Sequence, residues 1–468
     1  MTKKAAIIGG GVIGGGWAAR FALMGWEVAV YDPAPDAEAK LRAVYAGAER
    51  ALPMLYDRAL PKAGTLRMAA TLEEAVADAD WIQESVPERL EIKHAVFAQI
   101  EAACPPDTII GSSTSGFKPS ELQQGARNPN RVIVTHPFNP VYLLPLVEVV
   151  PGPATVAAQA EDILRSIGMA PLRINAEIDA HIADRFLEAV WREALWLVRD
   201  DIATTEEIDE AIRLGFGLRW AQMGLFETYR IAGGEAGMKH FIAQFGPALA
   251  WPWTKLMDVP ELDDALIDKI ASQSDAQAKG LGIRDLERLR DDNLVTMMRG
   301  LKARGAAAGS HIAAHEATLP DLDADAVPMI TVSRTVPIDW TDMNNHMNEG
   351  RYGQVFSDAA EAVMAAVGAD QAYVDAGNSF FTVETTVKYL AETVAGEAFT
   401  VATRVTQGEG KKLRCFHEMR RASDGEVLAT CDQMMVHVSL ETRRSALPLP
   451  HVQAAVEALA ARHAEVSA

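Results

Sequence analysis

The chain opens on a short apolar run at residues 4–9 (KAAIIG), passes through a cluster of glycines, and continues as an apolar-rich helical stretch over 12–25. A second apolar run at 26–32 (WEVAVYD) completes a strand–helix–strand unit. Further short apolar runs lie at 80–83, 108–112, 131–135 and 146–150, and helical spacing predicts helices at 36–59, 71–78, 88–103 and 155–167. Strands that alternate with helices predict a doubly wound, mostly parallel sheet, so residues 1–178 are expected to form an α/β Rossmann-type domain.

From residue 179 the period lengthens. Ile182, Phe186, Val190 and Leu197 recur at helical spacing, and similar patterns follow at 205–213, 222–230, 235–246, 261–278 and 283–304. This predicts an all-α domain over 179–316. The stretch 305–328 is rich in Ala, Gly, Asp and Pro without strong apolar periodicity, and its latter part, 317–328, reads as a linker. After it come a strand run at 329–337, a helix at 349–367, and four β-rich runs at 379–390, 397–407, 411–421 and 426–439. One helix followed by a meander of long strands predicts an α+β hot-dog domain over 329–468, with an antiparallel sheet wrapped around the helix. An Ala-rich tail at 450–466 reads as a final helix.

Composition narrows the partners. The 468 residues are 49% hydrophobic and 23% charged, which suits a globular chain with several cores. The formal net charge of −20 argues against nucleic acid or an anionic membrane as a partner. No run approaches about 18 consecutive apolar residues, so no membrane span is expected. Glycine crowds the N-terminal apolar stretch and no small-residue cleavage site follows, which argues against a signal peptide. The three cysteines are widely spaced, with no CxxC pair and no Cys/His spacing of a zinc site. Reduced thiols, a cytoplasmic location and no metal are therefore expected.

The glycine cluster satisfies GxGxxG through Gly9, Gly11 and Gly14, with Val12 and Ile13 between the last two. It lies between a predicted strand and a predicted helix, the context in which the motif binds a dinucleotide. Gly9 permits the tight turn, Gly11 lets backbone approach a pyrophosphate, and Gly14 allows close helix–strand packing. Asp32 ends the second strand 18 residues after Gly14, where an acid would bond ribose hydroxyls. No arginine follows it closely, which favours NAD over NADP.

Three further motifs carry a resemblance. They are Gly111-Ser112-Ser113-Thr114-Ser115, His136-Pro137-Phe138-Asn139-Pro140 and Leu146-Val147-Glu148-Val149. With them, residues 4–300 resemble the 3-hydroxyacyl-CoA dehydrogenase family, including its lambda-crystallin-like members. The resemblance implies that His136 is the general base for a substrate hydroxyl, that Glu148 orients His136, and that Ser115 bonds the reacting oxygen. It also implies that Glu88 and Lys93 lie near the cofactor. One departure stands out: Asp184-Arg185 occupies the place of the family's Asn-Arg pair. Either Asp184 turns away from the reacting oxygen, or the substrate carries a cation that welcomes it.

The segment 215–224 (GFGLRWAQMG), with 251–256 (WPWTKL) downstream, resembles carnitine 3-dehydrogenases. That implies L-carnitine, a 3-hydroxy acid with a trimethylammonium group, as substrate. Aromatic faces suit such a cation, and the second domain supplies Trp191, Trp196, Trp220, Phe226 and Tyr229. Most are expected in the core, with one or two, Trp191 and Trp220 foremost, facing substrate. Arg219 and Lys118 are the candidates for the substrate carboxylate.

In the last domain, Asp342-Met343-Asn344-Asn345-His346-Met347-Asn348, followed by Tyr352, resembles hot-dog acyl thioesterases, nearest to the D-x-N-x-H-V-N motif of plant acyl-ACP thioesterases. The resemblance implies that Asp342 and His346 activate water or attack the thioester, and that Asn344 helps hold the oxyanion. Glu392 aligns with a further family acid across a gap. The plain alternative is an Asn/Asp-rich loop that caps the helix. A thioesterase fused to a carnitine-type dehydrogenase implies betainyl-CoA as its substrate, with glycine betaine and CoA as products. The competing reading is a dehydrogenase of another small 3-hydroxy acid, of gulonate or 3-hydroxybutyrate type, joined to a non-catalytic hot-dog module. Both resembled families imply a homodimer.

Overall fold

Eight strands form the first sheet: β1 Lys4–Ile8, β2 Glu27–Tyr31, β3 Leu66–Met68, β4 Trp81–Glu84, β5 Ile109–Ser112, β6 Val132–Pro137, β7 Leu146–Val150 and β8 Ala170–Arg173. In this computed structural model the described residues are 2–150, 154–250, 252, 254–255, 258–320, 322–323 and 325–465. Trp251, Trp253 and Leu256 of the WPWTKL motif, Asp321 and Ala324 of the expected linker, and the last residue of the expected tail helix lie outside them. The strand order is β3-β2-β1-β4-β5-β6-β7-β8, and every pair is parallel except β6–β7. The sequence does not announce β3 or β8. Both are short edge strands, and each carries an exposed residue where an inner strand would be apolar.

The order reverses between β1 and β4, which opens a crevice at the carboxyl ends of those strands. The helix Val12–Leu23 starts there. Its inner face is fully buried, with Trp17, Phe21 and Trp81 packed together beneath the crevice. The chain then builds helices Ala183–Arg199, Thr205–Ala211, Gly217–Ala232, Gly237–Phe245, Asp264–Ala278 and Ile283–Ala303. The last is tied to the sheet layer by the Tyr142 hydroxyl, which donates to Asp291 at 2.7 Å. Gly224, at φ +70°, breaks the helical geometry inside Gly217–Ala232, a conformation glycine adopts without strain. Residues 307–316, read as aperiodic, form a helix built on alanine.

A second sheet runs β10-β13-β12-β11-β9, wholly antiparallel, from β9 Met329–Thr335, β10 Asn378–Tyr389, β11 Ala398–Glu409, β12 Lys412–Arg421 and β13 Val427–Ser439, with the short β14 Arg444–Ser445 beside β13. The helix Glu349–Ala366 buries Tyr352, Val355, Phe356, Ala359 and Val363, among them residues that share an apolar core with Val401, Met419 and Cys431 of the sheet. That is the hot-dog arrangement. The closing helix spans Pro450–Glu465.

The chain divides into two compact units, residues 1–49 with 62–315, and residues 50–61 with 316–468. The helix expected over 36–59 is therefore two pieces. Helix Ala37–Ala51 gives way to a tighter turn, Leu52–Leu55, at Pro53, which has no N–H to continue the ladder. Residues 50–61 join the second unit, where Asp57 accepts a hydrogen bond through its carbonyl from Arg334 Nε at 3.2 Å.

Candidate active sites

The glycine turn is shaped by contacts that exclude larger residues. Gly9 sits at φ +97°, and a Cβ there would lie 2.5 Å from the Ser85 carbonyl oxygen. A Cβ on Gly14 would lie 1.8 Å from the Gly9 oxygen. Gly11 is different: nothing in the chain lies within 4 Å of where its Cβ would be. It is exposed at the N-terminus of Val12–Leu23, beside Val12 and the half-buried Ile13, with no side chain capping the helix. Asp32 is fixed at the end of β2 by the N–H groups of Gly10 at 2.7 Å and Ala34 at 2.8 Å. A cradle closed at Gly9 and Gly14 but open at Gly11, with uncapped N–H groups and a strand-end carboxylate, fits NAD.

The antiparallel register of β6 and β7 sets His136 directly opposite Glu148. The two side chains meet at 2.9 Å, Nδ1 to Oε2. The other Glu148 oxygen accepts from the N–H groups of Ile182 and Ala183, each at 3.0 Å, at the start of helix Ala183–Arg199. Burial pushes the Glu148 carboxyl up, but the bonds from His136, Ala183 and Ile182 outweigh it and hold the carboxyl below its ordinary value. An ionised Glu148 accepts the hydrogen bond of Nδ1–H and leaves Nε2 as the acceptor.

Asp184 does not turn away. Its Oδ2 lies 3.7 Å from Nε2 of His136. Burial raises its carboxyl, a shift His136 opposes and Glu148 reinforces. Next to the pair is a residue that the motifs did not single out. His181 is fully buried, stands in the left-handed region at φ +49°, and packs its ring 5.4 Å from that of His136. Its Nε2 bonds the Thr114 carbonyl at 3.2 Å, and its Nδ1 has no partner among the described residues. Burial lowers its pKa, so it stays neutral. The one signal for it in the sequence is a histidine three residues before Asp184, inside the segment that aligns with the family's domain junction.

Ser115 is half-buried in the loop after β5, and its hydroxyl makes no hydrogen bond among the described residues. Glu88 holds this loop: it bonds the Thr114 hydroxyl and accepts from the Gly116 N–H at 3.1 Å. Lys93 is buried and reaches Glu84 at 2.9 Å and Glu88 at 3.2 Å. Glu88 and Lys93 are thus placed as braces of the Ser115 loop, together with the buried Glu84, which also accepts from the Ser112 hydroxyl at 2.5 Å. Trp191 is 60% exposed and follows Asp184 by two helical turns on one face. Arg219 and Trp220 are exposed on Gly217–Ala232, where Trp220 packs on Phe216 at 4.6 Å. No hydrogen bond or ion pair among the described residues links either to His136. Lys118 pairs with Asp179 at 3.1 Å.

In the second unit a cavity of about 710 Å³ is lined by Asp342, His346, Tyr352, Tyr389, Glu392 and Arg421, among others. The Asp342–His346 turn is closed by the Asp342 N–H on the His346 carbonyl at 2.9 Å. Asn345 takes φ +61° there, which asparagine tolerates. Asp342 Oδ1 accepts the Asn344 N–H at 2.8 Å. Asn344 itself is exposed, and its side chain does not line the cavity. His346 Nδ1 lies 3.4 Å from Glu392 Oε2, so the acid found only across an alignment gap is the neighbour of the histidine. Asn348 caps the helix Glu349–Ala366 by accepting from the Gly350 N–H at 3.0 Å.

Both units match known families. Residues 4–178 match the 3-hydroxyacyl-CoA dehydrogenase NAD-binding domain, residues 181–265 the 3-hydroxyacyl-CoA dehydrogenase C-terminal domain, and residues 336–456 the thioesterase-like superfamily. A protein of Ruegeria pomeroyi named L-carnitine dehydrogenase/betainyl-CoA thioesterase is 58% identical over 99% of this chain and 97% of its own. A protein of the same name from Agrobacterium fabrum is 55% identical over 98% and 95%. Among solved structures, 5-formyl-3-hydroxy-2-methylpyridine 4-carboxylic acid 5-dehydrogenase, an NAD+-dependent dismutase, superposes with a TM-score of 0.55 at 30% identity. It covers 64% of this chain and 99% of its own.

Proposed function

The chain belongs to the bifunctional L-carnitine dehydrogenase/betainyl-CoA thioesterase family, and from that premise we propose that its first unit oxidises L-carnitine to 3-dehydrocarnitine and its second hydrolyses betainyl-CoA to glycine betaine and CoA. The observation that carries the first half is the Glu148–His136 pair with Asp184 on the open nitrogen. His136 Nε2 accepts the proton of the C3 hydroxyl. Glu148 holds the ring and stabilises the imidazolium that forms. Ser115 donates to the reacting oxygen with a hydroxyl committed to nothing else among the described residues. NAD, held by Gly9, Gly11, Val12, Ile13, Gly14 and Asp32, supplies the hydride acceptor when bound. Lys93, through Glu88, braces the loop that carries Ser115.

Asp184 then gives the site its charge preference. The trimethylammonium nitrogen stands two bonds, each about 1.5 Å, from the carbinol carbon. A carboxylate beside Nε2 is therefore beside that cation as well. Glu188 and Trp191 continue the same helix face, and an acid and an indole both favour a quaternary ammonium. Trp220 and Arg219 lie on Gly217–Ala232 of the same helical region, with Arg219 the partner for the substrate carboxylate.

In the second unit, Asp342 activates a water for attack on the thioester carbonyl. Asp342 keeps the proton it takes from the water, and a protonated His346, supported by Glu392, donates its own to the departing CoA thiolate; solvent exchange then restores both groups. Backbone N–H groups at the start of Glu349–Ala366 that the Asn348 cap leaves free hold the oxyanion, and Asn344, which lies off the cavity, takes no part. The chain works in the cytoplasm as a homodimer. Three unpaired cysteines support the compartment. Leu214, Phe226 and Leu249, exposed at 70%, 71% and 89%, support an apolar dimer surface on the helices. The test is a pair of variants assayed for both activities. His136→Gln should abolish NADH formation and spare CoA release, and Asp342→Asn should do the reverse. Loss of neither activity in its own variant would overturn the assignment.

A further inference from the structure

The cavity of the second unit carries an unusual balance of charge. Besides Asp342, it is lined by Glu349, Glu392 and Glu426, against one arginine and one histidine. Arg421 offers little to an incoming anion. It is bound to Asp424 at 3.0 Å, to Glu426 at 2.5 Å and to Glu397 at 3.4 Å. Setting Glu426 against Arg421 leaves three carboxylates and at most one further cation, a protonated His346.

The tyrosines are the second observation. Tyr352 is 96% buried, being 4% exposed, and it lines the cavity. Its hydroxyl makes no hydrogen bond among the described residues and is open to the cavity rather than sealed in the core, so a polar group is left for whatever enters. Burial, with Tyr389 and Glu392 nearby, keeps that phenol protonated and able to donate. Tyr389 meets it ring to ring at 5.3 Å and 89°, so the two rings form a corner rather than a stack. Tyr389 is half-exposed, and its hydroxyl reaches the Glu349 carbonyl at 3.4 Å.

We infer that this corner, Tyr352 and Tyr389 with Glu349 and Glu392, is a subsite for a quaternary ammonium on the acyl group of the thioester. The inference rests on the thioesterase reading above and adds to it the groups that select the substrate. The Tyr352 hydroxyl meets the thioester carbonyl. The cation, two bonds from the carbonyl carbon, falls against the aromatic corner and the two glutamates. Ring faces attract such a cation without a hydrogen bond, which a quaternary nitrogen cannot donate. An anionic acyl group would be repelled by the same lining.

The test compares betainyl-CoA with 3,3-dimethylbutanoyl-CoA, which replaces the charged nitrogen by carbon at the same shape. Steady-state hydrolysis of each is measured on the full chain, on Tyr389→Leu and on Tyr389→Phe. The wild type should favour the cationic thioester at least tenfold in kcat/KM. Tyr389→Leu should cut that preference roughly tenfold, mainly through KM, by weakening the cationic thioester far more than the neutral one. Tyr389→Phe keeps the ring and should stay within about twofold of wild type. Equal hydrolysis of both thioesters by the wild type, or an equal loss on both in Tyr389→Leu, would overturn the subsite and leave the thioesterase standing. Hydrolysis of neither would remove the thioesterase reading, and the subsite with it.

Discussion

His136 and Glu148 meet because two antiparallel strands place them in register, and the carboxylate is pinned from behind by two helix N–H groups. Glu148→Gln would keep the shape but lose the charge that stabilises the imidazolium. Its kcat for carnitine oxidation should fall roughly 10²- to 10⁴-fold with little change in KM for NAD. Glu148 also links stability to pH. A carboxyl held low in the fold stabilises it above the ordinary glutamate value of about 4.3, and that contribution is lost as pH falls through the lower folded value. Asp184 has the opposite sign. Burial raises its carboxyl, so its ionised form opposes folding at neutral pH. Asp184→Asn should therefore melt at a temperature equal to or roughly 1–3 °C above wild type, while its kcat/KM for L-carnitine falls at least tenfold. Calorimetry and steady-state rates on one preparation check both. The pairing of His136 with Glu148 was legible from their fixed spacing, whereas Asp184 was read only from the place of the family's Asn-Arg pair, with its orientation open. His181 was not legible, since its place depends on a left-handed turn and on the carbonyl of a loop 67 residues away.

Among the elements, the first strand, glycine turn and helix could be read directly, because each glycine has one conformational or steric reason that survives without neighbours. Strands β3 and β8 could not. At three and four residues, with charged or proline positions, they are strands only because β2 and β7 offer an open edge. The glycines make a further prediction. A Cβ on Gly14 collides with the turn itself, so Gly14→Ala should lower both the melting temperature and NAD affinity. A Cβ on Gly11 meets nothing in the chain, so Gly11→Ala should melt like wild type yet bind NAD at least tenfold more weakly. Thermal melting with and without NAD, beside calorimetric titration, separates the two. Equal effects of both substitutions would mean that the turn is structural only.

Across the whole molecule, the sequence pattern places the change from parallel α/β to helical to antiparallel texture, but not the membership of residues 50–61. Leu52, Met54 and Leu55 are buried, and they read as the end of a helix until β9 is seen beside them. A fragment of residues 317–468 lacks this segment. It should melt several degrees below the corresponding transition of the intact chain, as differential scanning calorimetry would record. The central claim, however, concerns the substrate of the first unit, and the most direct measurement is NADH formation from NAD with L-carnitine, D-carnitine, L-gulonate and 3-hydroxybutyryl-CoA supplied separately. The account predicts turnover confined to L-carnitine, because Asp184 beside the catalytic nitrogen suits a cation two bonds from the reacting carbon. Efficient turnover of gulonate or the acyl-CoA, with none of L-carnitine, would contradict it.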